Sequence, residues 1–169
     1  IHTSGNDIRG FACIILEENP EKHLFVNLIC NVSFHSMHVR SGISKKSRFG
    51  GKNIINEIIK LARKLKVKLI KLDAIPNVIP YYSHIGFIFE NEKLQKKDGK
   101  KSISKLRKLQ LDGNKSGVDK QLDFIVTRYY PNFYSEKTQT KIGSEYSKNN
   151  RTELIRDNGI SMIYKLKSK

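Results

Sequence analysis

The sequence of 169 residues contains only two cysteines, four prolines and no tryptophan. A disulfide framework needs more cysteines at loop positions, whereas Cys13 and Cys30 lie within the apolar runs FACIIL and VNLICNV. We therefore expect two buried, reduced thiols. No run approaches the ~20 apolar residues that span a bilayer, and residues 1–10 lack the basic segment and apolar run of a signal peptide. These absences argue against a membrane partner and favour the reducing cytoplasm.

Acidic residues are scarce relative to basic ones. The sequence has 16 Asp and Glu against 32 Lys and Arg, which gives a formal net charge of +16 and a pI of about 9.9. Such a charge favours polyanionic partners, among them nucleic acid, phosphorylated cofactors and acidic membranes, without choosing among them. The hydrophobic fraction of 38% is sufficient for a sizeable core, so we expect residues 1–169 to form a single domain.

Apolar patterning in the first half of the chain predicts a hairpin followed by a βαβ unit. The apolar run within residues 8–17 predicts a largely buried strand, and the run within residues 23–32 predicts its antiparallel neighbour. A helix begins at Gly50 and Gly51, because the apolar residues after them recur at spacings of three and four. A strand at 67–75 follows, and it should run parallel to the strand at 23–32.

The second half of the chain is less regular. A short helix at 81–85 ends at Gly86, and a strand at 87–90 follows. The basic, largely polar composition of residues 91–158 predicts an insertion with only partial structure. Its apolar patches indicate a helix at 101–111 and a strand or helix at 121–130. Residues 160–166 predict a closing strand, so the core would consist of residues 1–90 and 159–169.

The segment KSRFGGKN, residues 46–53, joins the loop after a strand to the start of a helix. Glycines there allow the backbone to approach a ligand closely, and the free N–H groups at a helix start attract anions. Neighbouring lysines and Arg48 add positive charge, so a phosphate or pyrophosphate is the natural occupant. The alternative is a plain glycine turn surrounded by solvated lysines.

The order of these elements, together with the ending Tyr82-Ser83-His84-Ile85-Gly86-Phe87, resembles the GNAT superfamily of N-acetyltransferases. Residues 6–12, NDIRGFA, are similar to the turn and third strand of that family. The resemblance implies an α/β (α+β) fold with a mixed, mostly antiparallel sheet, a central parallel strand pair and flanking helices. The usual first strand and N-terminal helices are not represented in this sequence.

The resemblance also implies a function: transfer of an acetyl group from acetyl-CoA to a primary amine by direct nucleophilic attack. Tyr82 then corresponds to the general acid near the leaving sulfur, and Tyr81 to its buried neighbour. Phe49 departs from the family pattern, which has glycine at this position of the pyrophosphate loop. The implied cofactor-binding residues are Cys30, Asn31, Val32, Lys46, Ser47, Arg48, Phe49, Gly50, Gly51, Lys52, Asn53, Asn77 and Tyr82; no metal site is expected.

The sequence does not determine two features of the proposed enzyme. The acceptor pocket must come from the insertion, from a partner chain or from residues outside this sequence, and oligomerisation is equally open. The general base is also undetermined, with candidates Glu17, Glu18, His35, His38 and Asp73.

A second hypothesis is a non-enzymatic or decayed GNAT-fold module that binds nucleic acid through the basic insertion. Tyr129, Tyr130, Phe133 and Tyr134 would then be candidates for base stacking. The order of the family elements favours the enzyme, because net charge says little about chemistry.

Overall fold

The computed structural model describes residues 2–4, 7–19, 21–31, 51–90, 98–134 and 151–166. They form a mixed α/β fold whose strand pairs are mostly antiparallel. The chain divides into two compact units, of which the first comprises Ile1–Lys71 and Lys165–Lys169 and the second Leu72–Tyr164. None of the described helices combines the length and the apolar character that a bilayer crossing requires.

The first unit contains the predicted hairpin. Strand β2 (Asp7–Glu17) pairs antiparallel with β3 (His23–Asn31), from Gly10 opposite Asn31 to Glu17 opposite His23. A bulge between Cys13 and Ile14 interrupts the register. A strand that the sequence did not predict, β1 (His2–Ser4), pairs antiparallel with β2; three residues are too few to show a period of two.

Helix α1 (Gly51–Lys64) begins at one of the two predicted glycines and contacts β2 and β3. Its buried side chains form one stripe, as the apolar spacing predicts: Ile54, Ile55, Ile58, Ile59 and Ala62. Strand β4 (Leu69–Ala74) then begins in the first unit and continues into the second. In the strand order β4 is next to β3, as the predicted βαβ unit requires, and the described strands include one parallel pair.

The expectation that β2 is largely buried is wrong. Gly10 is buried and Ala12 and Ile14 are half-buried, whereas Phe11, Cys13 and Ile15 on the alternate positions are exposed. A strand that is apolar on both faces does not reveal whether both faces are covered, and α1 covers only one. The prediction of a buried thiol therefore fails for Cys13, which is free and exposed; the side chain of Cys30 lies outside the described residues.

The second unit contains the rest of the structure. After the end of β4 come a 3₁₀ turn (Pro76–Val78), helix α2 (Ile79–Ile85) and strand β5 (Ile88–Phe89). Helices α3 (Asp98–Leu111), α4 (Lys115–Tyr129) and α5 (Arg151–Asn158) precede the last strand, β6 (Ile160–Lys165). The strand order is β4-β6-β5, and β5 pairs antiparallel with β6, with Ile88 opposite Ile163. The predicted closing strand is therefore present as β6, and residues 91–158 lie between β5 and β6 in the chain order.

Within the described part of the insertion, α3 and α4 pack through fully buried side chains, among them Leu106, Leu122, Ile125 and Val126. Asn114 caps α4 by accepting a hydrogen bond from the Gly117 N–H at 2.8 Å. The predicted helix at 101–111 is therefore confirmed as part of α3, and of the two alternatives left open at 121–130 the helix is found, within α4.

The aromatic side chains proposed for base stacking belong to this packing instead. Tyr129 is 1% exposed and stacks on Phe89 with ring centroids 5.1 Å apart, and Phe133 is also buried. The Tyr134 hydroxyl donates to the Asp123 carboxylate at 2.7 Å. The proposed stacking role is therefore wrong for the two buried rings, because they occupy the inner side of the insertion rather than its surface.

Tyr130 ties the insertion to both strands that flank it. Its hydroxyl donates to the Ser161 carbonyl in β6 and accepts the Glu90 N–H, after β5, at 3.0 Å. Burial, and to a smaller extent the negative charges of Glu90 and Asp73, raises the pKa of Tyr130 well above its ordinary value. The folded state therefore holds the phenolic proton more tightly than the unfolded chain does.

We predict that Tyr130→Phe lowers the free energy of unfolding by about 1–3 kcal/mol, because the Ser161 carbonyl and the Glu90 N–H lose their shared partner. Urea unfolding at neutral pH measures this loss. Since the folded-state pKa is raised, the stability from this proton is complete below the ordinary tyrosine pKa of ~10 and declines above it. The variant should therefore lose less stability than wild type between neutral and strongly alkaline pH. Equal alkaline losses in both proteins would contradict this assignment.

Candidate active site

The short helix α2 ends in a tight turn at Gly86. Gly86 has φ of 115° and ψ of 6°, a left-handed conformation that side chains disfavour. Its N–H donates to the carbonyls of Tyr82 and Ser83, and the Phe87 N–H also donates to Tyr82 at 3.0 Å. A Cβ at Gly86 would lie 3.2 Å from the ring of Tyr164. The turn therefore needs glycine for its backbone conformation and for the space that Tyr164 occupies.

This turn holds Tyr82 in a row of aromatic rings. Tyr82 contacts Tyr81 edge to face at 5.4 Å between centroids and Phe87 at 5.5 Å, and Phe87 contacts Tyr164 at 5.4 Å. Phe87 is buried, so it anchors the row in the core, while Tyr82 is half-buried. Such edge-to-face contacts restrict the ring orientation of Tyr82.

The relative burial of Tyr81 and Tyr82 is the reverse of that expected from the sequence. Tyr81 is 37% exposed and is the more accessible of the two, so the prediction that it is the buried neighbour is wrong. In a helix of seven residues, neighbouring positions point about 100° apart, and the sequence alone does not tell which side meets the core. Desolvation, followed by the proximity of Tyr81, raises the pKa of Tyr82, so its hydroxyl stays protonated at neutral pH.

Asn77 lies in the 3₁₀ turn just before α2, where it borders a cavity of about 680 Å³ within the second unit. Pockets of this size accommodate small organic ligands. The cavity is formed by the connection from β4 to α2 and by the three helices of the insertion, and its lining residues are Ile75, Pro76, Asn77, Leu109, Gln110, Gly113, Lys115, Val118 and Arg156.

The cavity combines an apolar floor with a few polar groups. The Gln110 side-chain amide donates to the Pro76 carbonyl at 3.0 Å and joins α3 to the 3₁₀ turn. Arg156 is neutralised in part by Asp119, at 2.5 Å between Nη2 and Oδ1, while Lys115 adds a second positive charge at the start of α4. Sequence reasoning missed Gln110, Lys115 and Arg156, because only the packing of the insertion helices brings them to one cavity.

The first unit holds the other predicted site residues. Cys30 and Asn31 are at the end of β3, where they pair with Phe11 and Gly10. Gly51, Lys52 and Asn53 form the first turn of α1, which contains no acidic residue. A helix start without acidic residues is electrostatically compatible with an anion. Val32 and the remainder of the predicted loop, residues 46–50, lie outside the described residues.

Of the five general-base candidates, three lie within the residues that the structure describes. Glu17 pairs with His23, with 2.9 Å between Oε2 and Nε2, and the other ring nitrogen of His23 lies 2.6 Å from the Glu21 carbonyl. This buried histidine therefore holds Glu17 in a structural contact at the end of the hairpin. Glu18 and Asp73 are exposed, whereas His35 and His38 lie outside the described residues. Among the described residues, no three His, Cys, Asp or Glu side chains cluster as metal ligands would.

Comparison of the sequence with known protein families and with curated proteins finds no match for this chain.

We predict that Gly86→Ala lowers the free energy of unfolding more than Gly113→Ala does. Gly113, at φ of 66°, lies in the left-handed region that an L residue adopts at a cost of about 1–2 kcal/mol, whereas φ of 115° at Gly86 lies outside that region and costs more. Only the Cβ at position 86 meets a neighbour, the Tyr164 ring, whereas nothing lies within 4 Å of a Cβ at position 113. Urea denaturation of both variants checks the order. A larger loss in Gly113→Ala would show that Tyr164 does not constrain the turn.

Proposed function

We propose that this chain is an N-acyltransferase that transfers an acetyl group from acetyl-CoA to a primary amine, in the manner of the GNAT superfamily that its sequence resembles. The observation that carries the proposal is the turn Tyr82–Phe87, in which a half-buried, protonated tyrosine is held against a buried aromatic ring by a left-handed glycine. The mostly antiparallel strand pairing with one parallel pair is the arrangement that the resemblance implies.

In the proposed reaction acetyl-CoA supplies a thioester whose acyl group is transferred to the amine. The first turn of α1, with Gly51, Lys52 and Asn53, would hold the pyrophosphate through backbone N–H groups and positive charge. Asn77 and Tyr82, in the second unit, are the other described residues of that unit that the resemblance assigns to cofactor binding. Tyr82 would donate its phenolic proton to the departing sulfur, a task for which a raised pKa keeps the hydroxyl in the protonated state.

The cavity beside Asn77 supports the insertion as the source of the acceptor pocket, out of the three sources considered. Six of the residues that line the cavity beside Asn77 belong to the insertion: Leu109, Gln110, Gly113, Lys115, Val118 and Arg156. An acceptor in this cavity would lie next to a residue that the resemblance assigns to cofactor binding. We therefore propose that the insertion walls the acceptor site in place of the N-terminal elements that the family usually has.

We predict that Tyr82→Phe lowers kcat by roughly 10²–10⁴-fold and leaves the affinity for acetyl-CoA nearly unchanged, because only the transferable proton is removed. A thiol-release assay with a panel of primary amines gives the rate, and calorimetry gives the affinity. Tyr81→Phe is the matched control, since it removes a hydroxyl from the exposed neighbour of the same helix.

The pH dependence provides a second readout of the same proposal. Because burial raises the pKa of Tyr82, wild-type turnover should persist to pH values above the ordinary tyrosine pKa of ~10, and it should fall once the phenol ionises. A normal rate in Tyr82→Phe would limit this residue to packing. A collapse of affinity with normal saturated turnover would assign it to cofactor binding instead.

A further inference from the structure

The antiparallel packing of α3 against α4 determines which side chains line the solvent side of their contact. The Gln121 amide in α4 donates to the Ser102 carbonyl in α3 at 3.2 Å. Gly117, one turn earlier in α4, lies against Leu109, two turns later in α3. Residues further along α3 therefore lie opposite residues earlier in α4, so the two helices run antiparallel. The two contacts also mark the line along which the helices meet.

On α3, Lys105 comes three residues after Ser102 and four before Leu109, so it lies on the flank that faces α4. Lys101 and Lys108 are its neighbours at helical spacings of four and three. All three side chains are exposed. They form a row of positive charge about 10 Å long, given the rise of ~1.5 Å per residue.

On α4, Phe124 comes three residues after Gln121 and therefore lies on the flank that faces α3. Its ring is 50% exposed, which is unusual for a phenylalanine in a helix whose other large apolar residues are buried. Lys120 and Arg128, each four residues away along the helix, stand on either side of it and are also exposed. We call the six residues of the two rows the basic–aromatic seam: Lys101, Lys105, Lys108, Lys120, Phe124 and Arg128.

The five cations of the seam have no ionic partner within the part of the chain that the structure describes. The acids in the body of α4 are engaged elsewhere, Asp119 with Arg156 and Asp123 with the Tyr134 hydroxyl. On α3 the only acid is Asp98 in its first turn. The seam therefore keeps a net positive charge around an exposed aromatic ring.

We propose that the basic–aromatic seam binds single-stranded nucleic acid. Unpaired cations spaced along two helices track the phosphates of a flexible strand, and an exposed ring between two of them offers a face on which an unpaired base stacks. A duplex keeps its bases inside and would leave Phe124 without a partner. A membrane surface favours a broad apolar face, whereas the seam has one apolar side chain among five cations.

The test uses the whole chain and a fluorescein-labelled 20-nucleotide polyuridine strand, with fluorescence anisotropy as the readout and no acetyl-CoA present. Phe124→Leu should weaken binding between about 5- and 100-fold, since base–aromatic stacking is lost while an apolar side chain remains. Phe11→Leu is its control, because Phe11 is an exposed ring in the first unit. It should leave affinity unchanged.

The charged row has its own test in the salt dependence. The slope of log affinity against log salt is about −0.7 per phosphate neutralised on a single strand, so Lys101→Gln with Lys105→Gln should reduce its magnitude by about 1.4. The control pair Lys64→Gln with Lys68→Gln removes the same charge from exposed positions of the first unit. Urea midpoints that match wild type would establish that these surface variants fold.

Three outcomes overturn the proposal. Equal losses in the seam and control variants would assign binding to net charge alone. If a duplex of the same length bound more tightly than the single strand, and Phe124→Leu bound as tightly as wild type, Phe124 would have no stacking role. Binding to phosphatidylserine vesicles without binding to the oligonucleotide would identify a lipid surface as the ligand. Because acetyl-CoA is absent throughout, the result is independent of the proposed acetyltransfer.

Discussion

The left-handed backbone at Gly86 is the constraint on which the candidate site depends. It ends α2 after seven residues, accommodates the Tyr164 ring where a Cβ would intrude, and directs Phe87 into the core. Phe87 then limits the position of Tyr82, whose carbonyl accepts the N–H groups that close the turn. The motif of a tyrosine followed by Gly-Phe is thus explained by packing in this chain. The same packing also desolvates the phenol and keeps it protonated.

Sequence reasoning was accurate wherever a period or a turn residue specified local structure. The two apolar runs and the short polar turn between them predicted the β2–β3 hairpin, the stripe of isoleucines predicted α1, and Gly86 predicted the end of α2. It failed where the burial of a side chain depended on which other element covers that face of the strand or helix. The pattern FACIIL does not tell that only one side of β2 meets α1, and consecutive tyrosines do not tell which of them faces inward. Such questions are decided by tertiary packing, which local periodicity does not encode.

The insertion between β5 and β6 illustrates the same limit and also gives the chain its distinctive features. Its inner side is a packed core of aliphatic and aromatic residues, so Tyr129 and Phe133 are structural. Its side toward the 3₁₀ turn borders the cavity next to Asn77, and its outer side carries Phe124 among unpaired cations. A proposed acceptor cavity and a proposed nucleic-acid surface on one insertion would suit an enzyme whose acceptor is associated with a polyanion.

The most direct test of the account is calorimetric titration of the chain with acetyl-CoA, with CoA, ATP and a short RNA as comparison ligands. The account predicts saturable binding of acetyl-CoA that is lost in Gly51→Glu, because the substitution places bulk and negative charge in the first turn of α1. Asn56→Glu adds the same charge at an exposed position further along that helix and should bind normally. Failure of the wild-type chain to bind acetyl-CoA, or undiminished binding by Gly51→Glu, would contradict it.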